Sequence, residues 1–377
     1  MTSVLVAIVF ALALLGGVIF LLWRRGWMRN GYFTIGTCTL VAIAIFLIFQ
    51  TVGGAIYLIA TGGDLTNTDA RGLLGSTSIA QLLVMVGGTL LMIRATDQDF
   101  VTSLRLEGIK QTPVALYFLA IPIIFLAQYV GGLLSIFWGR MLDHLPMIDK
   151  LKALEESQQE MINSIVQASS LGDFIFVLLG IAIVPAIAEE VFFRGFLQTN
   201  IERSGYRRSR PYVALFLASA IFALVHFSPL KLPGLFALGL AMGYMSYRTN
   251  NLLLGSLGHA FNNGMVVLIM LLSPDLMSAA DPETALKENG FTDTALIGAL
   301  GFLSVMLAGA ITLFHNLSEP IEARDYAEQE VRATTAYFDA LELSELGAFE
   351  RTQTSELQQP ESPTYRSLHD SDQENKQ

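Results

Sequence analysis

Residues 174–197 read FIFVLLGIAIVPAIAEEVFFRGFL. About 20 apolar residues are what an α-helix needs to cross the roughly 30 Å of bilayer hydrocarbon. This run meets that length, yet it carries Glu189, Glu190 and Arg194 within six residues. A charged side chain at the bilayer centre costs about 2.5–3.5 kcal/mol on insertion scales. Three in one turn and a half mark the place where the chain does its work. They also decide the fold class: an all-α polytopic membrane helix bundle with a polar cavity inside the membrane.

The rest of the chain agrees. Its mean hydropathy is +0.51. Hydrophobic residues make up 53% and charged residues 15%, against about 25% charged in soluble domains. Apolar runs suggest nine transmembrane helices, over about 3–23, 33–60, 76–94, 113–138, 173–200, 211–228, 231–248, 252–273 and 294–316. The second holds Gly53-Gly54, where it is expected to tilt or break. The seventh is the weakest, short and rich in glycine. The first lacks a basic leader and exceeds a signal-peptide core, so a retained helix is expected.

Lys and Arg orient the set. Arg24, Arg25 and Arg29, then Arg94, Arg105 and Lys110, then Arg203, Arg207, Arg208 and Arg210, and finally Arg248 fall on one side if nine helices alternate. The chain should then be an integral, multi-pass membrane protein with its N-terminus outside and its C-terminus cytoplasmic. Three regions follow. Residues 1–112 hold N-terminal helices and loops. Residues 113–317 hold a core whose chemistry lies in about 173–270. Residues 318–377 form a tail with fourteen Asp/Glu against five Lys/Arg.

That tail carries nearly all of the net charge of -10. It is expected to be mostly disordered and to be where a cytoplasmic partner would bind. No nucleic-acid partner is expected. The single cysteine, Cys38, cannot form an internal disulfide or a thiolate metal site.

The loop over about 139–172 is longer than the others. Leu151, Leu154, Met161, Ile162, Ile165 and Val166 follow helical spacing, with Glu155, Glu156, Gln159 and Glu160 mostly between them. An amphipathic helix on the outer surface is expected, either packing at the interface or gating a cavity.

On a helix Glu190 and Arg194 are i and i+4, with the acid N-terminal, the better orientation for a pair. Glu189 points about 100° away on the helical wheel. One glutamate is thus neutralised within its own helix and the other remains a candidate general base or acid. Pro185, just before, is expected to kink the helix and open backbone to a cavity. Two histidines, His226 and His259, lie in later apolar runs. His259 and Asn263 are i and i+4 and share a helix face, an arrangement able to stabilise an oxyanion. Gly255, Gly258 and Gly264 permit close helix approach there.

Two mechanisms fit these residues. In one, Glu189 and His226 activate a water that attacks a carbonyl, while His259 and Asn263 hold the oxyanion. In the other, Glu189, His226 and His259 bind Zn²⁺ and leave a fourth position open for water. Residue types and spacings leave both open.

Glu189-Glu190-x-x-x-Arg194, Phe222-x-x-x-His226 and His259-x-x-x-Asn263, in this order and each in an apolar run, resemble the type II CAAX prenyl protease and bacteriocin-processing (CPBP) intramembrane proteases. The resemblance covers about residues 173–270. It implies an intramembrane endopeptidase acting on membrane-associated protein or peptide substrates. Glu189 would be the catalytic glutamate and His226 the histidine that helps it activate water. His259 and Asn263 would be the oxyanion pair, and Glu190 and Arg194 a supporting pair. No metal is required on this mechanism, although the family is often labelled metalloprotease and Zn remains the alternative. His-Glu-x-x-His, which site-2-type zinc proteases need, does not occur. The competing readings are a non-catalytic membrane scaffold or bacteriocin-immunity protein and, further off, an ion-coupled transporter.

Overall fold

A computed structural model describes residues 31–62, 69–166, 170–205, 210–272 and 292–318, with 17, 28, 29 and 290 besides. The helix expected over 3–23 and the tail beyond Ser318 lie outside the described residues. A two-stranded antiparallel hairpin, β1 (Met28–Arg29) and β2 (Tyr32–Phe33), leads into the helices. The helices are α1 (Ile35–Ala60), α2 (Ala70–Ala95), α3 (Val114–Leu142), α4 (Ile148–Val166) and α5 (Leu171–Arg203). They continue as α6 (Arg210–Leu224), α7 (Leu232–Thr249), α8 (Leu252–Leu272) and α9 (Asp293–Leu317).

Sequence-coded caps start several of them. The side chains of Thr34, Asp69, Ser170 and Thr292 accept from the first-turn N–H groups of α1, α2, α5 and α9. Each satisfies a donor that the helix cannot satisfy itself. Helix α1 runs unbroken through Gly53-Gly54.

Among the described residues six helices, α1, α2, α3, α5, α8 and α9, are long and apolar enough to cross a membrane. The structure is therefore that of a multi-pass membrane helix bundle. Of the nine helices expected, the first lies outside the described residues and two, α6 and α7, fall short of these limits. Helix α6 has only 15 residues. Helix α7 has 18, but Gly234, Gly239, Gly243, Ser246 and Arg248 dilute its hydropathy. Both are still full members of the bundle. A Cβ on Gly239 would sit 3.0 Å from Ser219 Cβ, so α6 and α7 meet almost backbone to backbone. In hydrocarbon no water is released when apolar side chains meet, and such close packing and buried hydrogen bonds carry the association.

Polar ties show that successive helices alternate in direction. At one end Arg71 pairs with Asp173 at 2.7 Å, Arg140 pairs with Asp293 at 2.5 Å, and Glu155 of α4 bonds Ser228. At the other, Phe33 N donates to Asn200 Oδ1 at 2.9 Å and Gln98 Nε2 to the same oxygen at 3.0 Å. There too Asn251 reaches Tyr117 OH at 2.7 Å, and Arg248 reaches the Ser318 carbonyl at 2.8 Å.

Arg105 belongs to this second end, but not as a solvated loop charge. It is 1% exposed, with φ +52°, and its guanidinium pairs with Glu202 and donates to the Arg194 carbonyl at 3.1 Å. A buried charge is tolerable only when partnered, and the end of α5 supplies both partners.

The segment expected to be an amphipathic helix is α4. Leu154 and Met161 are exposed, whereas Glu155 is buried, opposite to the face that its spacing predicts. Glu155 finds its partners in the connection between α6 and α7.

Candidate active site

Helix α5 carries the two glutamates and is not a uniform α-helix. Leu179–Ile183 and Val191–Gln198 are π-helical, and the α-helical turns Val184–Glu190 lie between them. Such bulges shift the register of side chains and free backbone carbonyls. The Ile181 carbonyl accepts from Asn263 Nδ2 at 3.1 Å. The Arg194 carbonyl accepts from Thr199 Oγ1 at 3.1 Å as well as from Arg105. Pro185 falls directly after the first π segment and the helix continues through it to Arg203; having no N–H, it leaves the Ile181 carbonyl four residues earlier to accept from Asn263.

Glu190 and Arg194 form the ion pair expected of their i, i+4 spacing. Arg194 Nη1 donates to Glu190 Oε1 at 2.6 Å, with both side chains at 1% exposure or less. Arg194 Nη2 donates to the Gly239 carbonyl at 3.2 Å, which the close α6–α7 crossing brings within reach. Its guanidinium lies 4.6 Å from the Phe222 ring centroid, a cation–π distance. Glu190 Oε1 also faces His259 Nδ1 at 3.3 Å. One carboxylate oxygen thus orients an arginine and a histidine from two helices. A Cβ on Gly255 would lie 2.6 Å from Glu190 Oε2, so α8 approaches this closely only because that position is glycine.

Glu189 points elsewhere, as its place on the wheel predicts, with 13% side-chain exposure. Its Oε1 accepts from Gln81 Nε2 at 3.3 Å, and its Oε2 has no hydrogen-bond partner. Two ring nitrogens face that free oxygen: His226 Nε2 at 3.8 Å and His259 Nε2 at 3.9 Å.

The histidines have defined second nitrogens. His226 Nδ1 lies 2.6 Å from the Phe222 carbonyl. A carbonyl can only accept, so the Nδ1 of a neutral His226 carries the proton and its Nε2 lone pair faces Glu189. The same logic makes His259 Nδ1 the donor to Glu190. Phe222 is the hub of the cluster. Its ring meets His226 edge-on at 4.6 Å, His259 at 5.9 Å and Phe193 at 5.3 Å.

Asn263 sits one turn beyond His259 on α8. One of its amide hydrogens is engaged by Ile181, and its Oδ1 accepts from Asn262 Nδ2 at 3.3 Å. The structure thus brings Glu189, His226 and His259 together and ties Asn263 to the α5 backbone beside them.

Gln81 was not legible as a site residue. It lies 108 positions before Glu189, in a run where one glutamine looks like any tolerated polar residue. In space it sits in the π segment Gln81–Gly87 of α2, 6% exposed.

The alternative zinc set is Glu189, His226 and His259. Tetrahedral zinc with bonds of about 2.0–2.2 Å holds its ligand atoms about 3.4 Å apart. The two spacings here are wider, at 3.8 and 3.9 Å. Among the described residues no group of three His, Cys, Asp or Glu side chains could hold a metal ion. As placed, these residues do not fit the metal.

Residues 171–265 match the family model described as Rce1-like, type II CAAX prenyl endopeptidase. The matched segment runs from the start of α5 into α8. It contains all three sequence patterns, so the resemblance read in the sequence holds over this segment. No curated protein and no solved structure matches the chain.

Proposed function

We propose that this protein is an intramembrane endopeptidase in which Glu189 and His226 activate a water for attack on a peptide carbonyl. The observation that carries the proposal is the unpartnered Glu189 Oε2 facing two histidine Nε2 atoms at 3.8 and 3.9 Å. Such gaps exceed a direct hydrogen bond of 2.7–3.2 Å and suit one water bridging the acceptors.

The chemistry follows from the acceptors. A water donating one hydrogen to Glu189 Oε2 and one to His226 Nε2 turns a lone pair outward. As its oxygen bonds to the carbonyl carbon, Glu189 takes a proton and the carbonyl oxygen gains negative charge. His259 in its doubly protonated form, with Nδ1–H held by Glu190, donates Nε2–H to that oxygen, and the second amide hydrogen of Asn263 completes the oxyanion site. Glu189 then returns the proton to the amide nitrogen as the C–N bond breaks. No metal enters any step. The substrates are membrane-associated proteins or peptides, since the site lies among membrane-length helices.

The test compares protein N-termini in membranes of cells carrying the wild type and Glu189→Gln. New N-termini should be present with the wild type and absent with the variant, and His226→Ala should behave like Glu189→Gln. A general base is worth about 10²–10⁴-fold in rate, so wild-type cleavage by both variants would rule the mechanism out.

A further inference from the structure

His226 is not held by a helix. Helix α6 ends at Leu224, and residues 225–231 form the connection to α7, with Phe227 at φ +49°. The ring keeps its own anchor to the Phe222 carbonyl, but its backbone position depends on what holds this connection. Three contacts do so. Trp138 Nε1 of α3 donates to the Pro229 carbonyl at 2.9 Å. The Phe227 ring lies 5.3 Å from that of Phe46 on α1. The third comes from α4: Glu155 Oε1 accepts from the Ser228 hydroxyl, and Lys231 Nζ stands 3.2 Å from Oε2, an ion pair without hydrogen-bond alignment.

The third contact has the marks of a built one. Glu155 is 9% exposed and Ser228 8%, while Glu156 and Glu160, on the same helix, face out. A buried carboxylate is costly unless its oxygens are met. Elsewhere α4 is anchored by apolar side chains, buried Ile148, Ile165 and Val166, the last in a cluster with Val177 and Val267. Glu155 is therefore the polar link between α4 and the segment that carries His226.

We propose that Glu155 is a positioning residue. Through Ser228 and Lys231 it fixes the 225–231 connection, so that His226 Nε2 stays opposite Glu189 Oε2. This rests on the reading of Glu189 and His226 as the water-activating pair, and it assigns to α4 a part in setting the site's geometry.

The test uses the full chain in membranes, labelled with diethyl pyrocarbonate and read by peptide mass spectrometry. The variants are Glu155→Ala, Ser228→Ala and Glu155→Gln. In the first two, labelling of His226 should rise several-fold over wild type, while His315, on the distant α9, labels as before. Glu155→Gln keeps an acceptor for Ser228 but loses the ion pair with Lys231, so its labelling should fall between wild type and the alanine variants. On a substrate found by the N-terminal comparison, the two alanine variants should lose kcat with KM little changed, and Glu155→Gln should lose less. If Glu155→Ala does not fold, Ser228→Ala carries the test. Unchanged His226 labelling in the alanine variants would overturn the proposal. If Glu189→Gln cleaves like wild type, the catalytic reading fails, whereas the labelling result still decides whether Glu155 holds His226 in place.

Discussion

Gln81 donates its side-chain amide to Oε1 of Glu189 at 3.3 Å, across 108 positions of chain. The bond occupies one carboxylate oxygen and leaves the other open. With Oε1 occupied, Oε2 is the atom turned toward His226 and His259. A hydrogen bond to a charged group contributes about 1.5–3 kcal/mol, and each 1.4 kcal/mol is tenfold in rate. Gln81→Leu should therefore lower kcat about ten- to a hundredfold with KM little changed. Steady-state kinetics on any substrate found by N-terminal comparison checks this. A variant with wild-type kcat would make Gln81 a packing residue only.

The contrast between Gln81 and Glu190 shows what the chain discloses. Glu190 and Arg194 are four residues apart on one helix, so their pairing follows from helical geometry, and so does the opposite aim of Glu189. Phe222 and His226 also meet, although α6 ends at Leu224 and His226 lies in the turn beyond it, and His259 and Asn263 stand one turn apart on α8. Gln81, Arg105 and Glu155 could not be placed in this way, because their partners lie on elements far away in the chain. Arg105 looked like a loop charge and Glu155 like one tooth of a solvated stripe. Both are buried because a tertiary partner compensates their charge. Helices α6 and α7 follow from their apolar runs at nearly the expected bounds, but hydropathy does not show that they are shorter or less apolar than the helices they pack against.

The Glu190–Arg194 pair should behave as a buried unit. Breaking a buried pair from one side costs about 3–5 kcal/mol, whereas replacing both partners costs less. Arg194→Met should thus destabilise the protein more than the double variant Glu190→Gln/Arg194→Met. Unfolding in mixed detergent, followed as a double-mutant cycle, measures the coupling. Additive losses would show that the two charges do not depend on each other.

Gly255→Ala tests the approach of α8 to α5. The added Cβ would fall 2.6 Å from Glu190 Oε2 and 2.8 Å from Ser246 Oγ, closer than van der Waals contact allows. Overpacking of this kind costs about 1–3 kcal/mol. Because the clash falls on the carboxylate that orients His259, activity should drop further than thermal stability alone explains. Parallel melting and cleavage measurements separate the two effects, and a variant active at the wild-type rate would place Glu190 outside the orienting role.

The last prediction concerns metal. The three side chains that would form a zinc site face each other at 3.8 and 3.9 Å, wider than the roughly 3.4 Å separation a shared tetrahedral zinc sets. Each is also held through its other polar atom. Glu189 Oε1 is bound by Gln81, His226 Nδ1 by the Phe222 carbonyl and His259 Nδ1 by Glu190. Metal-bound histidines have similar outer partners, so these bonds do not distinguish the cases, and the metal content of active protein does. Purified active protein dialysed against a strong chelator should keep its activity and hold less than one equivalent of zinc by elemental analysis. Loss of activity that zinc restores, with one equivalent bound and lost again in His226→Ala, would mean that the three side chains close on a metal and that the water is metal-bound.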